Sequence, residues 1–213
     1  MEDIDVAVIG TGVTGLAAAR AIAARGCSTC VLERHPRPGL DTSTHNSGVI
    51  HGGMYYPQGS LKARLCVEGS RLLYQFCAAH DVPHARCGKL IVAHDEGEIA
   101  ELEALHARGL ANDVEGLTLV GRTFIERREP AVRAVAGIFS PETGIVNAEE
   151  LVRTLLRTGQ SFGVMFLPGT RLVGAERNPA ACCFVPSTKR FSPEPLSTPP
   201  ASTPTRCRGY WRD

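Results

Sequence analysis

Apolar positions along this chain recur with two different periods, and the switches between them mark its elements. Ile4 to Ile9 is a short β-branched run of the kind a buried parallel strand needs. Val13 to Arg25 is rich in alanine and leucine, reads as a helix and stops at Gly26. Thr29 to Leu32 is a second strand, closed by Glu33. Arg34 to Gly39 holds two prolines and is a turn-forming segment. Ser60 is placed to cap a helix from Leu61 to about His80, and Leu61, Leu65, Leu72, Leu73 and Phe76 mark the side expected in the core. Gly88 to Ala93 reads as a strand. Glu98 to Arg108 reads as a helix, with Ile99, Leu102 and Leu105 on one face. Thr123 to Val135 suits a short helix and a turn at Pro130, and Gly137 to Phe139 suits a strand. Asn147, with Glu150 in the capping-box position, opens a helix carrying Leu151, Val152, Leu155 and Leu156, and Phe162 to Leu167 follows as a strand.

Composition narrows the class without naming it. The 213 residues suffice for one large domain or two small ones, and 43% hydrophobic with 21% charged residues is ordinary for a soluble globular chain. A net charge of +1 gives no reason to expect nucleic acid or an anionic membrane as partner. Apolar stretches break well before membrane-spanning length, so no transmembrane segment is expected. Met1-Glu2-Asp3 leads straight into the first strand with no signal-peptide pattern, and a cytoplasmic location is the expectation. Eight cysteines are many, but the pair Cys27 and Cys30 enters a strand, where no helix N-terminus lowers a thiol pKa. Two semi-buried thiols fit better than a redox pair, and no second pair stands at zinc-ligand spacing, so no metal is expected.

The candidate chemistry starts at Gly10-Thr11-Gly12-Val13-Thr14-Gly15. Between a strand and a helix, with an acid closing the next strand, this loop is the dinucleotide-binding fingerprint. Gly10 permits the tight turn, Gly12 leaves room for a pyrophosphate, and Gly15 lets helix and strand pack closely. The N–H groups at the start of the helix, at Val13 and Thr14, face the phosphates. Glu33, 23 residues after Gly10, is placed to accept hydrogen bonds from ribose hydroxyls. A second informative stretch, Thr42 to Pro57, mixes small hydrogen-bonding residues, glycines, two histidines and two tyrosines. That mixture suits backbone lying against a ligand.

Gly10 to Gly15, Glu33 and His45-Asn46-Ser47-Gly48-Val49-Ile50-His51-Gly52-Gly53 resemble the D-amino-acid-oxidase-like FAD-dependent oxidoreductases. Asn46 to Pro57 followed by Gly59 to Cys66 is most similar to the L-2-hydroxyglutarate dehydrogenase-like members, and the resemblance runs from Val6 to about Arg177. It implies an α/β, Rossmann-like FAD-binding domain, incomplete here, with an inserted α+β substrate domain. The FAD domain would take 1–85 and 147–177, and the insertion 86–146. FAD would be held by the Gly10–Gly15 loop, Glu33, Arg34, Thr44, His45, Asn46, Ser47, Gly48 and Ile50. His51 would stand at the flavin ring as a base, the alternative being a loop histidine hydrogen-bonded for structure. A small carboxylate substrate would need cations; Lys89 and Arg64 are the candidates, with Arg86 also available, while Tyr55 and Tyr56 line the site or pack. The electron acceptor stays open. So does a choice between an active dehydrogenase of small 2-hydroxy acids, an amino-acid-oxidase-type relative, and a truncated, inactive FAD-binding fragment.

From Asn178 the pattern ends. Seven of the fourteen prolines lie in 178–213, no periodicity persists, and an irregular tail is expected. Codons allowed for Ser197 to Trp211, read one base earlier, yield VNAAGLYADEVSRVL, similar to a segment this family carries after its substrate insertion. That points to a frameshift between about Arg177 and Lys189.

Overall fold

The computed structural model describes residues 4–178 and 181–187. It divides into two compact units. One takes the described residues up to Asn46 and from Ala148 onward, and the other takes Ser47–Asn147.

The first unit opens with β1 (Val6–Ile9), α1 (Val13–Ala23) and β2 (Thr29–Leu32). β1 and β2 run parallel in the register Val6↔Thr29 to Ile9↔Leu32, so their C-terminal ends are level. The four residues of β2 are all buried. β1, expected as a buried strand, is only half-buried, because among the described residues it is an edge strand paired with β2 alone. Burial of a parallel strand needs neighbours on both sides.

The second unit holds β3 (Val49–Ile50), α2 (Leu61–Ala79), β4 (His84–Ala85), β5 (Lys89–Ala93), α3 (Ile99–Ala111), β6 (Thr118–Gly121), α4 (Arg122–Arg128), β7 (Ala136–Ser140) and β8 (Gly144–Val146). β7 lies between β5 and β6 in one antiparallel sheet, and β8 lies between β3 and β4 in another. Met54, Ala93, Leu102, Val114, Leu117 and Ile138 form its core.

The division falls at 46/47, not at the expected 85/86, because β8 pairs with β3 and β4. In addition the Tyr74 hydroxyl donates to the Glu142 carbonyl at 3.0 Å, and Asn112 Nδ2 donates to the Gly53 and Tyr56 carbonyls at 3.2 and 2.8 Å. These bonds draw 47–85 into the same body as 86–147.

The leucine stripe of α2 also departs from expectation. Ser60 caps the helix, accepting from Ala63 N–H at 3.2 Å, as its position suggested. The buried residues are Ala63, Tyr74 and Cys77, whereas Leu61, Leu65 and Leu72 remain 52–60% exposed. Helical spacing identifies a stripe but does not say which side the fold covers.

The chain returns to the first unit through α5 (Ala148–Ser161) and β9 (Met165–Leu167), and β9 extends the parallel sheet beyond β2. Gly163 at φ +90° turns the chain, so the strand starts three residues later than the apolar run suggested. α5 packs on α1, and Ala19, Ala23, Val31 and Val164 form the core beneath. β10 (Arg171–Asn178) and β11 (Ala181–Ser187) close an antiparallel hairpin, which carries regular structure into the start of the segment expected to be irregular. Residues 188–213, where most of the proposed frame-shifted segment falls, lie outside the described residues. Among the described residues no helix is long and apolar enough to cross a membrane.

Candidate functional site

In the first unit the level ends of β1 and β2 set up a cradle. Gly10 N–H donates to the Leu32 carbonyl at 2.8 Å, and its φ of +94° makes the turn that glycine accommodates best. Thr11 is wholly buried and ties the loop to the end of β2. Its N–H donates to Glu33 Oε2 at 3.0 Å, and its hydroxyl donates to the same oxygen. Glu33 Oε1 accepts from His35 N–H at 2.9 Å. Burial pushes the Glu33 carboxyl pKa upward, but the donors from Thr11 and His35 outweigh it and hold the group below its ordinary value.

Gly12 precedes α1 and supplies no side-chain cap; instead Val13 N–H donates to Ser43 Oγ at 3.0 Å. A Cβ at Gly12 would stand 3.0 Å from that oxygen, and a Cβ at Gly15 would overlap the Gly10 carbonyl oxygen. Above the loop lies a cavity of about 480 Å³, whose walls include Gly10, Thr11, Gly12, Glu33, Arg34 and Ser43.

The segment after Glu33 is held by its own side chains. Arg34 pairs with Asp41 at 2.9 Å, Thr44 Oγ1 donates to the Gly39 carbonyl, and His45 Nδ1 donates to the Asp41 carbonyl at 2.9 Å. Asn46 Nδ2 donates to the Thr42 and Ser43 carbonyls, both at 2.9 Å. Arg34, Thr44, His45 and Asn46 therefore fix the loop that carries Ser43.

A different cluster forms in the second unit. The carbonyl of Gly48, a residue at φ +65°, accepts from Val146 N–H at 2.8 Å, and a Cβ there would overlap the Val146 carbonyl oxygen. Ser47 is exposed, while Ile50 is buried in β3 and delivers His51 at the strand end. The His51 carbonyl accepts from Cys66 Sγ at 3.2 Å, while its ring makes no hydrogen bond among the described residues. His51 is exposed overall, yet the desolvation its ring does meet, then the Lys89 and Lys62 ammoniums, hold the imidazole below its ordinary pKa and favour the neutral form. Lys89 Nζ donates to the Tyr55 hydroxyl at 2.7 Å, and Lys62 Nζ sits 4.4 Å from the centre of the Tyr56 ring.

Arg64, another cation expected at the substrate, has its own setting. It lines a cleft of about 620 Å³ with Arg71, Arg86, Glu68 and Asn112, among others, and neither Lys89 nor Tyr55 borders that cleft.

The profile of the family described as DAO, FAD dependent oxidoreductase, matches residues 5–190. The chain belongs to this family of FAD dependent oxidoreductases. Relatives include the mitochondrial L-2-hydroxyglutarate dehydrogenase of Nematostella vectensis, 47% identical over 68% of this chain and 32% of that protein. The Homo sapiens protein of the same name is 40% identical over 82% of this chain and 38% of its own length. The chain thus spans roughly a third of the relatives it matches. Among solved structures, the dithionite-reduced L-alpha-glycerophosphate oxidase of Mycoplasma pneumoniae with FAD bound matches at TM-score 0.82 and 26% identity, over 89% of this chain and 51% of that one. Glycine oxidase from Geobacillus kaustophilus shares the fold at TM-score 0.76, with 18% identity over 86% of this chain and 51% of that one.

The cradle fits the cofactor of this DAO-family chain. The cavity wall is backbone at Gly10 and Gly12, where a side chain would intrude on a pyrophosphate, and it ends at a carboxylate. A carboxylate has about four lone-pair sites and protein donors occupy three, so Glu33 keeps capacity for a ribose hydroxyl.

Sequence reasoning passed over Thr11, Ser43 and Lys62. Thr11 occupies a variable position of the fingerprint. Ser43 acts on a residue 30 positions away. Lys62 follows a helix cap, where a charged residue ordinarily signals nothing but solvent. The density of small hydrogen-bonding residues around Ser43 was the one available signal.

Proposed function

We propose that this chain is part of an FAD-dependent dehydrogenase of small 2-hydroxy acids, with L-2-hydroxyglutarate as the substrate. The observation that carries the reading is the likeness to proteins named for that substrate, 40 and 47% identical to this chain, and with it goes His51, whose ring makes no hydrogen bond among the described residues. When bound, FAD supplies a hydride acceptor. Gly10 and Gly12 border its pyrophosphate and Glu33 its ribose. His51 accepts the proton leaving the substrate hydroxyl, a task for which a neutral ring is in the right state. Lys89 and Tyr55 orient the substrate carboxylate.

One observation favours a second reading, a fragment that binds the nucleotide without turnover. Among the described residues β1 is an open edge of the sheet, and the chain spans a third of its relatives. Anaerobic mixing of the FAD-loaded chain with L-2-hydroxyglutarate decides between them. The dehydrogenase reading expects the flavin absorbance to bleach with the L but not the D enantiomer, and more slowly in His51→Gln by about 100-fold or more. Bound flavin that no 2-hydroxy acid bleaches supports the fragment.

A further inference from the structure

Among the described residues Lys62 and Lys89 are two ammoniums without a counter-ion. None of the ion pairs among the described residues involves either of them. Each sits against a tyrosine instead, Lys62 over the ring and Lys89 at the hydroxyl end. Lys62 Nζ is 4.4 Å from the Tyr56 ring centre, and Lys89 Nζ is 4.8 Å from that of Tyr55. Lys62 stands in the first turn of α2 and Lys89 opens β5, so two separate elements bring like charges to the same imidazole.

Ring faces position a cation and cover part of it, but they leave its full charge. The Lys89 ammonium spends one of its three donors on the Tyr55 oxygen. That bond leaves the tyrosine O–H hydrogen itself available to donate. The group therefore presents two ammoniums and a phenol hydroxyl, with no carboxylate to answer them. Like charges gathered near one imidazole repel each other, and an anion that joins them relieves that repulsion.

We propose that Lys62 and Lys89, held by Tyr56 and Tyr55, form a carboxylate-binding subsite beside His51. The site deepens the dehydrogenase reading, on which its link to substrate rests, by placing one substrate carboxylate next to the group that takes the hydroxyl proton. It also gives Lys62 a positioning role and removes Arg64 from the substrate contacts.

Glutarate, which has the carboxylates but no oxidisable hydroxyl, is the probe. It is titrated into the full 213-residue chain while the His51 ring signals are followed by NMR, with His51→Gln identifying them. Saturable shifts of those signals are expected. Lys62→Gln and Lys89→Gln should each weaken binding about tenfold, Lys62→Arg should retain it, and Arg64→Gln should stay within about twofold of the parent. Unmoved His51 signals, unchanged affinity in Lys62→Gln, or an equal loss in Arg64→Gln would each overturn the subsite. Glutarate binding in a chain whose flavin L-2-hydroxyglutarate does not reduce would instead remove the dehydrogenase reading and leave the subsite standing.

Discussion

Glu33 does two jobs that pull on the same carboxylate. Both its oxygens already accept protein donors, and it is only 6% exposed, so it locks the glycine loop to the end of β2 before any ribose arrives. Glu33→Gln leaves one acceptor oxygen where two were in use, and a buried donor goes unpaired. The expected cost is about 1–3 kcal/mol at pH 7, measured by urea unfolding. The pH dependence has a definite sign. A glutamate held below its ordinary value of 4.5 contributes stability that is present above that value and is lost as pH falls through the folded-state pKa. The gap between parent and variant should therefore narrow in acid. A gap of the same size at pH 7 and at pH 3 would show that the charge contributes nothing.

At the scale of elements, α2 carries the clearest unfinished surface. Leu61, Leu65 and Leu72 lie along one side of a helix whose buried residues are elsewhere. Aliphatic groups so exposed stabilise the described unit little and favour association between copies. Leu65→Gln and Leu72→Gln should each change its unfolding free energy by no more than about 0.5 kcal/mol while lowering light scattering at high concentration. A loss above about 2 kcal/mol in either would mean that the leucine is buried in solution. Among the described residues β1 presents the same situation in backbone form, a strand with one hydrogen-bonding edge unpaired.

Across the whole molecule, the legible features were those whose cause is local. Gly10, Gly12 and Gly15 could be read because the turn and the close contacts demand glycine at those positions. Ser60 could be read because a cap acts within three residues. β3, β4 and β8 have two or three residues each, too few for any period to register, so the boundary at 46/47 was invisible. The contacts of Ser43 with Val13 and of Lys89 with Tyr55 join positions 30 and 34 apart and depend on the finished fold. The same holds for the exposure of β1 and of the α2 leucines, which is decided by what does or does not cover them.

FAD binding by the loop between β1 and α1 turns on Gly12. An aspartate there would crowd Ser43 Oγ and set a negative charge where phosphate oxygens belong, while the Gly12 φ of −70° accepts any side chain without backbone strain. The purified chain should take up FAD on titration, seen as quenched flavin fluorescence. Gly12→Asp should lose at least about 100-fold in affinity while keeping a urea midpoint near that of the parent. Equal FAD affinity in parent and variant would mean that this loop does not hold the pyrophosphate.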